Sequence, residues 1–229
     1  KHRLFKMRNS PVLNSLGTWS TKFALSVGLP VEGIIKRTIF EQFCGGETIE
    51  ECEKTVERLA ASGIGAILDY SIEGRSSEQD FDRTKDEIIR TVERAKNDPR
   101  IPFSVFKVTG IAPLGTLERL SGKKKLDAKS QTKCEHLQSR VNEICEFAYK
   151  VGQPIFIDAE ETWIQDAIDR LATDMMEKYN LEGPIVYTTL QLYRTDRLQH
   201  LKDARRQAKA DGYVYAVKLV PISHFEKKR

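Results

Sequence analysis

No apolar run in the sequence approaches the roughly 18 residues that a membrane-crossing helix requires, so no transmembrane helix is expected. Cysteine is scarce. Four occur in 229 residues, at Cys44, Cys52, Cys134 and Cys145, and no two form a C-x-x-C pair. That excludes a disulfide scaffold and points to free thiols in a reducing compartment. The four histidines, His2, His136, His200 and His224, are dispersed, and none stands at ligand spacing from a cysteine pair, so no metal is expected. Charge of neither sign dominates: 37 basic against 33 acidic residues gives a net +4, with both signs interspersed. Nucleic acid is therefore not an expected partner. The run Lys123-Lys124-Lys125 is short and reads as a solvated loop. The first residues are basic (Lys1, His2, Arg3, Lys6, Arg8), but no apolar core follows them, so a secretory signal is not expected. No G-x-G-x-x-G follows any apolar run, which removes the signature of a dinucleotide-binding turn. Gly45-Gly46 alone reads as turn chemistry.

What the sequence does have is alternation. Short apolar runs at 38–40, 64–68, 103–106, 155–157, 185–190 and 213–220 read as strands, and helical patterns separate them. Thr48 and Glu51 form a T-x-x-E capping box, after which Ile49, Cys52, Val56, Leu59 and Ala60 share a helical face up to Gly63. A second helix starts near Ser77 with Phe81, Ile88, Ile89, Val92 and Ala95 inward. A short helix near 114–120 precedes a longer one with Leu137, Val141, Ile144, Ala148 and Val151 inward, closed by Gly152. The next helix carries Trp163, Ile164, Ala167, Ile168, Leu171 and Met175, with Trp163 read as core. The last uses Leu198, Leu201, Ala204 and Ala208 and is capped by Gly212. Nearly continuous apolar runs such as 64–68 are expected of strands covered on both faces. Repeated β-α-β units imply parallel pairing, in a doubly wound sheet or a barrel. The missing dinucleotide turn favours the barrel. The expected fold is α/β: an incomplete (β/α)8 TIM-type barrel holding about six of eight strands over residues 38–229, with an N-terminal helical arm at 1–37.

Strands in such folds present their C-terminal ends to the active site. Here those ends carry polar groups in series: Asp69-Tyr70, Lys107, Asp158 with Glu160, Gln191, and Lys218. One such residue alone reads as surface or as half of an ion pair. Five in register make a polar cup. Lys107 and Asp158 sit on consecutive strands, where they could hold a zwitterion or form a plain salt bridge. Tyr193 and Arg194 belong to a loop at the same mouth.

These strand ends resemble the proline dehydrogenase family. The matching pieces are Leu68-Asp69-Tyr70-Ser71 with Glu73-Gly74, Phe106-Lys107-Val108-Thr109, Ile157-Asp158-Ala159-Glu160-Glu161, Gln191-Leu192-Tyr193-Arg194 and Val217-Lys218-Leu219-Val220. The stretch 155–161 is the most specific, and the resemblance runs over 40–220. It implies a distorted barrel that holds FAD at the strand ends and passes a hydride from L-proline to the flavin, yielding 1-pyrroline-5-carboxylate. A quinone at a membrane would reoxidise the flavin. The implied setting is cytoplasmic or peripheral to a membrane, the mitochondrial inner membrane in a eukaryote. By the same resemblance Lys107 helps hold the substrate carboxylate, and Asp158 is the carboxylate beside the reacting centre. Gln191 and Lys218 contact the flavin, and Asp69 supports the same rim.

The chain departs from the family after strand six. The family continues with a basic residue, Gly, Ala and Tyr, whereas this sequence reads Pro221-Ile222-Ser223-His224, and proline removes a backbone donor. With 229 residues it is also shorter than the roughly 250 of a closed barrel, so a fragment or a natural truncation is expected. Two other readings remain at this level: a different barrel enzyme using Lys107 or Lys218 as a Schiff-base nucleophile, and an inactive truncated barrel.

Overall fold

A computed structural model describes residues 44–70, 76–122 and 127–221. The chain divides into two compact units, Lys1–Thr55 and Val56–Arg229. The strand expected at 38–40, the arm and its boundary at 37/38, the lysine run at 123–125, and Ser71, Glu73, Gly74, Ile222, Ser223 and His224 lie outside the described residues.

In the first unit, Gly45 and Thr48 lead into helix α1 (Ile49–Ala60), which runs on into the second. The Thr48 hydroxyl accepts the Glu51 amide at 3.2 Å, as the capping box predicts. The Glu51 carboxylate reaches back one residue further than expected, to the Glu47 amide at 2.9 Å. The Thr48 bond satisfies an orphan donor of the first turn, and the Glu51 bond fixes the residue before the cap.

In the second unit α2 (Glu78–Ala95) starts on Ser77, whose hydroxyl accepts the Asp80 amide. Strand β1 (Ser104–Phe106) passes through a 3-10 turn (Val108–Gly110) to α3 (Leu114–Ser121). Helix α4 (Ala128–Val151) is capped by Asp127 at one end and by Gly152 at the other, where φ of +70° favours a residue without Cβ. Then come β2 (Ile155–Ile157), α5 (Gln165–Tyr179), β3 (Val186–Gln191), α6 (Arg197–Asp211) and β4 (Val217–Val220).

The four strands form one parallel sheet in the order β1-β2-β3-β4. Sheet order equals chain order. A doubly wound sheet reverses its order at a switch point, so this is the pattern of a barrel wall. One face is apolar apart from the buried hydroxyls of Ser104 and Thr188. Phe106, Ile155, Ile157 and Val186 pack there with Ile88 and Val92 of α2, Leu137, Val141 and Ile144 of α4, and Ile168 and Met176 of α5. Each of these is at most 1% exposed, which is the burial that stabilises the wall.

Three expectations are corrected. Residues 64–68 form no strand. Ile64 and Ile67 are 52% and 45% exposed, and among the described residues the segment makes one backbone bond across, from the Ala66 amide to the Arg100 carbonyl at 2.8 Å, with a single parallel bridge just beyond it, Asp69 with Val105. Pro102 has no amide to offer a ladder, and its ring lies where a Cβ on Gly65 would go, 3.0 Å away. Ala66 and Leu68 still turn inward, onto Val56, Ala95 and Ile101. Trp163 is 53% exposed, not core, because it precedes the first turn of α5 and helical spacing does not apply to it. Leu198 is 58% exposed, while its neighbour Arg197 is buried. The inward stripe of α6 runs Arg197, Leu201, Ala204, Ala208, and an ion pair with Asp169 holds Arg197 there.

Candidate active site

Strand register decides which side chains meet. Val105 pairs with Phe156, and Phe156 with Tyr187. Side chains two residues apart share a face. Lys107, Asp158 and Thr189 therefore stand one rung above these three, and Thr189 pairs with Lys218. Asp69 bridges to Val105, one rung below Lys107. Glu160 and Gln191 stand one rung higher again. All five residues singled out from the sequence thus lie on one face, opposite the helix-packed face. Beneath them Phe103 stacks on Phe156 at 4.5 Å between centroids, and the Tyr187 ring meets both edge-on. The polar row rests on an aromatic floor.

The pairing within the row differs from the simplest expectation. Lys107 Nζ donates to Asp69 Oδ2 at 2.9 Å and is 4.0 Å from Asp158 Oδ2. Asp158 Oδ1 instead takes the Lys218 ammonium at 2.5 Å, and that Nζ lies 5.1 Å from the centre of the Phe156 ring. Two cations and two carboxylates alternate as Asp69, Lys107, Asp158, Lys218. Burial works against the charge on Lys107, but the hydrogen bond to Asp69 and the charges of Asp69, Asp158 and Glu160 outweigh it and raise its pKa. Lys107 is an ammonium at neutral pH.

Gln191 is 7% exposed, and its Nε2 donates to the Glu160 carbonyl at 2.7 Å. Its Oε1 and the Thr189 hydroxyl are buried with no hydrogen-bond partner among the described residues. Arg194 Nη1, in the loop after β3, is a third such atom. Unpaired buried polar atoms are costly, and three at one strand end mark a place made for a polar ligand.

Glu160 is the residue that sequence reasoning quoted but did not choose. It stands two residues beyond Asp158 on the same face, so the period of two was the available signal. Its carboxylate accepts the Thr109 amide at 3.0 Å and the Thr109 hydroxyl, tying the β1 and β2 loops together. Burial is the largest influence on it and raises its pKa. Hydrogen bonds from Thr109 and the charge of Lys107 oppose that without cancelling it. The native state therefore holds this proton more tightly than the unfolded chain does. The associated stability is complete below the unfolded value and is lost as pH rises through the native one. Glu160→Gln is neutral at every pH, so its stability relative to the wild type should rise between about pH 4 and pH 7. Urea midpoints at the two pH values check this, and a constant difference would mean the carboxyl does not titrate in that window.

The chain matches the model of the family described as proline dehydrogenase over residues 52–221, the greater part of its length. It is 33% identical over 187 residues to the carbapenem antibiotics biosynthesis protein CarD of Pectobacterium carotovorum subsp. carotovorum, covering 82% of this chain and 50% of that protein. It is 30% identical to the mitochondrial proline dehydrogenase 1 of Arabidopsis thaliana, covering 90% of this chain and 50% of that one. The chain thus spans about half the length of these curated relatives. Among solved structures it superposes on proline utilization A from Bdellovibrio bacteriovorus with a TM-score of 0.66 at 16% identity, over 82% of this chain and 21% of that one. That likeness shows the fold, a parallel (β/α) barrel architecture, and the order of the four strands agrees with it. Since the family match takes in β1 to β4 and every residue of the polar row, the chain belongs to the proline dehydrogenase family.

Proposed function

We propose that this chain contributes the cofactor- and substrate-binding wall of an FAD-dependent enzyme that oxidises L-proline to 1-pyrroline-5-carboxylate in proline catabolism. The observation that carries the proposal is the alternating row Asp69, Lys107, Asp158, Lys218, with the free acceptor of Gln191 one rung above it.

The polar inventory fits a flavin. The ring system carries an imide N–H that needs an acceptor, and Gln191 Oε1 is a buried acceptor that takes no donor among the described residues. The ring becomes negative on reduction, and Lys218 is a cation on the same face. Asp69 holds the rim by fixing Lys107. FAD, when bound, supplies the hydride acceptor.

The chain's own residues do the rest. Free proline is a zwitterion. Lys107 offers its ammonium to the substrate carboxylate, and Asp158 faces the substrate ammonium. The Asp158 oxygen not taken up by Lys218 is the one 4.0 Å from Lys107. That atom, Oδ2, is the acceptor placed to take the proton the amine must lose before its carbon gives up hydride. The aromatic floor of Phe103, Phe156 and Tyr187 would exclude water from that side of the polar row. Turnover then needs an electron acceptor, for which a quinone is the class the family implies. The mitochondrial designation of the Arabidopsis relative supports a place beside a quinone-bearing membrane. No helix among the described residues is long and apolar enough to cross one.

A Schiff-base lysine, Lys107 or Lys218, is the competing chemistry, and at Lys107 the raised pKa argues against it. A nucleophilic amine needs its pKa lowered, not raised.

Lys107→Ala in the full-length protein is expected to raise the KM for proline roughly 10- to 100-fold, the worth of one charged hydrogen bond, while sparing flavin content. Steady-state kinetics with visible absorbance of the purified protein reads both. Loss of the flavin in this variant would show that Lys107 belongs to the cofactor site instead.

A further inference from the structure

Gln191 does not set its own orientation. A closed circuit of hydrogen bonds, reaching α5 and α6, sets it. Gln191 Nε2 donates to the Glu160 carbonyl at 2.7 Å, and the Glu160 amide donates to Gln165 Oε1 at 3.0 Å. Gln165 Nε2 donates to Asp169 Oδ1 at 2.8 Å, and Asp169 Oδ2 accepts Arg197 Nη1 at 2.6 Å. Arg197 and Arg194 both donate to Asp196. The Arg194 amide returns to the Gln191 carbonyl at 3.1 Å, which closes the loop. His200 Nε2 lies 3.7 Å from Asp169 Oδ2 and is the other group facing that carboxylate. Gln165, Asp169 and Arg197 are 1%, 7% and 4% exposed, so water does not substitute for these bonds.

The direction of every bond is forced by what each group can do. An ionised carboxylate only accepts and a guanidinium only donates. Asp169, held by Arg197, must therefore face the amino side of the Gln165 amide. That leaves the Gln165 oxygen toward Glu160, where an N–H is waiting. The Glu160 carbonyl, in the next peptide unit, can only accept, so Gln191 must answer it with Nε2, and the circuit's part is to hold the Glu160 backbone where the two meet. The oxygen of Gln191 is what remains.

We infer that Gln165, Asp169 and Arg197 are positioning residues whose buried circuit anchors the Glu160 backbone, so that its carbonyl holds Gln191 Nε2 and leaves Oε1 to the cofactor. This rests on the flavin reading of the site. None of the three belongs to the polar row, and they reach it through Glu160. Their effect is to reserve an acceptor, so the ligand group they select is a hydrogen-bond donor.

The test inverts polarity without changing volume. In Asp169→Asn, the new amide gives its oxygen to Arg197 and turns its NH2 toward Gln165. Gln165 must then turn its own NH2 toward the Glu160 amide, donor against donor. In Gln165→Glu two carboxylates meet. In the double variant Gln165→Glu with Asp169→Asn, every bond has a donor and an acceptor again, and the net charge is unchanged. In the flavin-loaded full-length protein, each single variant is expected to weaken FAD binding about tenfold and to shift the flavin's visible absorption bands, and the double variant to restore both. Placed in a Gln191→Leu background, Asp169→Asn should change the FAD dissociation constant no further. If Asp169→Asn leaves affinity and spectrum unchanged in protein that binds FAD, or acts equally with and without Gln191, the positioning role is overturned while the flavin reading stands. A wild-type protein that takes up no FAD overturns both.

Discussion

Asn180→Ala is expected to destabilise the second unit by about 3–5 kcal/mol, the largest stability effect of any single uncharged residue described above. Asn180 ends α5 and is 0% exposed. Its side-chain oxygen accepts the amides of Ile185 at 3.0 Å and Val186 at 2.9 Å. Its NH2 donates to the carbonyls of Val186 at 2.7 Å and Val214 at 2.9 Å. Its own carbonyl takes the Val214 amide at 2.9 Å. One amide therefore fixes where β3 begins and where the segment entering β4 lies beside it, which is the register that brings Thr189 opposite Lys218. Alanine would leave two donors and two acceptors unpaired, the Val186 amide and carbonyl buried and the Ile185 amide and Val214 carbonyl partly so, and each such loss costs about 1 kcal/mol or more. For a unit of this size the melting temperature should fall by roughly 6–20 °C. Asn180→Asp should do no better, because a carboxylate can accept from both amides but cannot donate to either carbonyl. Calorimetry on the three proteins checks this. A shift under about 2 °C for Asn180→Ala would mean the β3 register is held by the sheet alone.

Register is also why so much of the site was legible in the sequence. Ile155-Phe156-Ile157 is a continuous apolar run, and both faces of β2 are buried as such runs require. Once 155–157 is a parallel strand, Asp158 must emerge at its end, and the same logic places Lys107, Gln191 and Lys218. The sequence could not say which carboxylate each lysine would take. That depends on side-chain reach across the face, and Lys107 reaches back a rung to Asp69 instead of across to Asp158. Periodicity failed where a polar contact overrode it. Arg197 occupies the inward position that Leu198 should have filled, because Asp169 on another helix pairs with it at 2.6 Å. Gln165 and Asp169 are four apart and visibly share a helix face, but nothing in their spacing says that Glu160 and Arg197 complete the chain. Residues 64–68 have strand composition, but on the side of residues 100–102 the ladder stops after the bond from the Ala66 amide to the Arg100 carbonyl, because Pro102 has no amide to continue it.

Asp158→Ala is expected to lower kcat/KM for proline by about a thousandfold, more than any other change in the row, because it removes one anion that serves three cations. Lys218 loses its partner at 2.5 Å, and Lys107 loses a charge 4.0 Å away. The substrate ammonium loses both its counter-ion and its proton acceptor. Lys107 keeps Asp69, so the carboxylate-binding end of the site survives, and the loss should fall on kcat as well as KM. Asp158 is partly exposed, so stability should change little compared with Asn180→Ala. Asp158→Asn separates shape from charge. Its side-chain oxygen can still accept from Lys218 and hold that ammonium over the Phe156 ring, while its other terminus can neither take a proton nor balance a second cation. The asparagine variant should therefore retain flavin as well as the wild type does and still turn over poorly. If instead Asp158→Asn recovers wild-type kcat/KM, the carboxylate serves only to anchor Lys218. The proton taken from the amine must then go elsewhere, and Glu160, one rung above, is the carboxyl within the same face that could receive it.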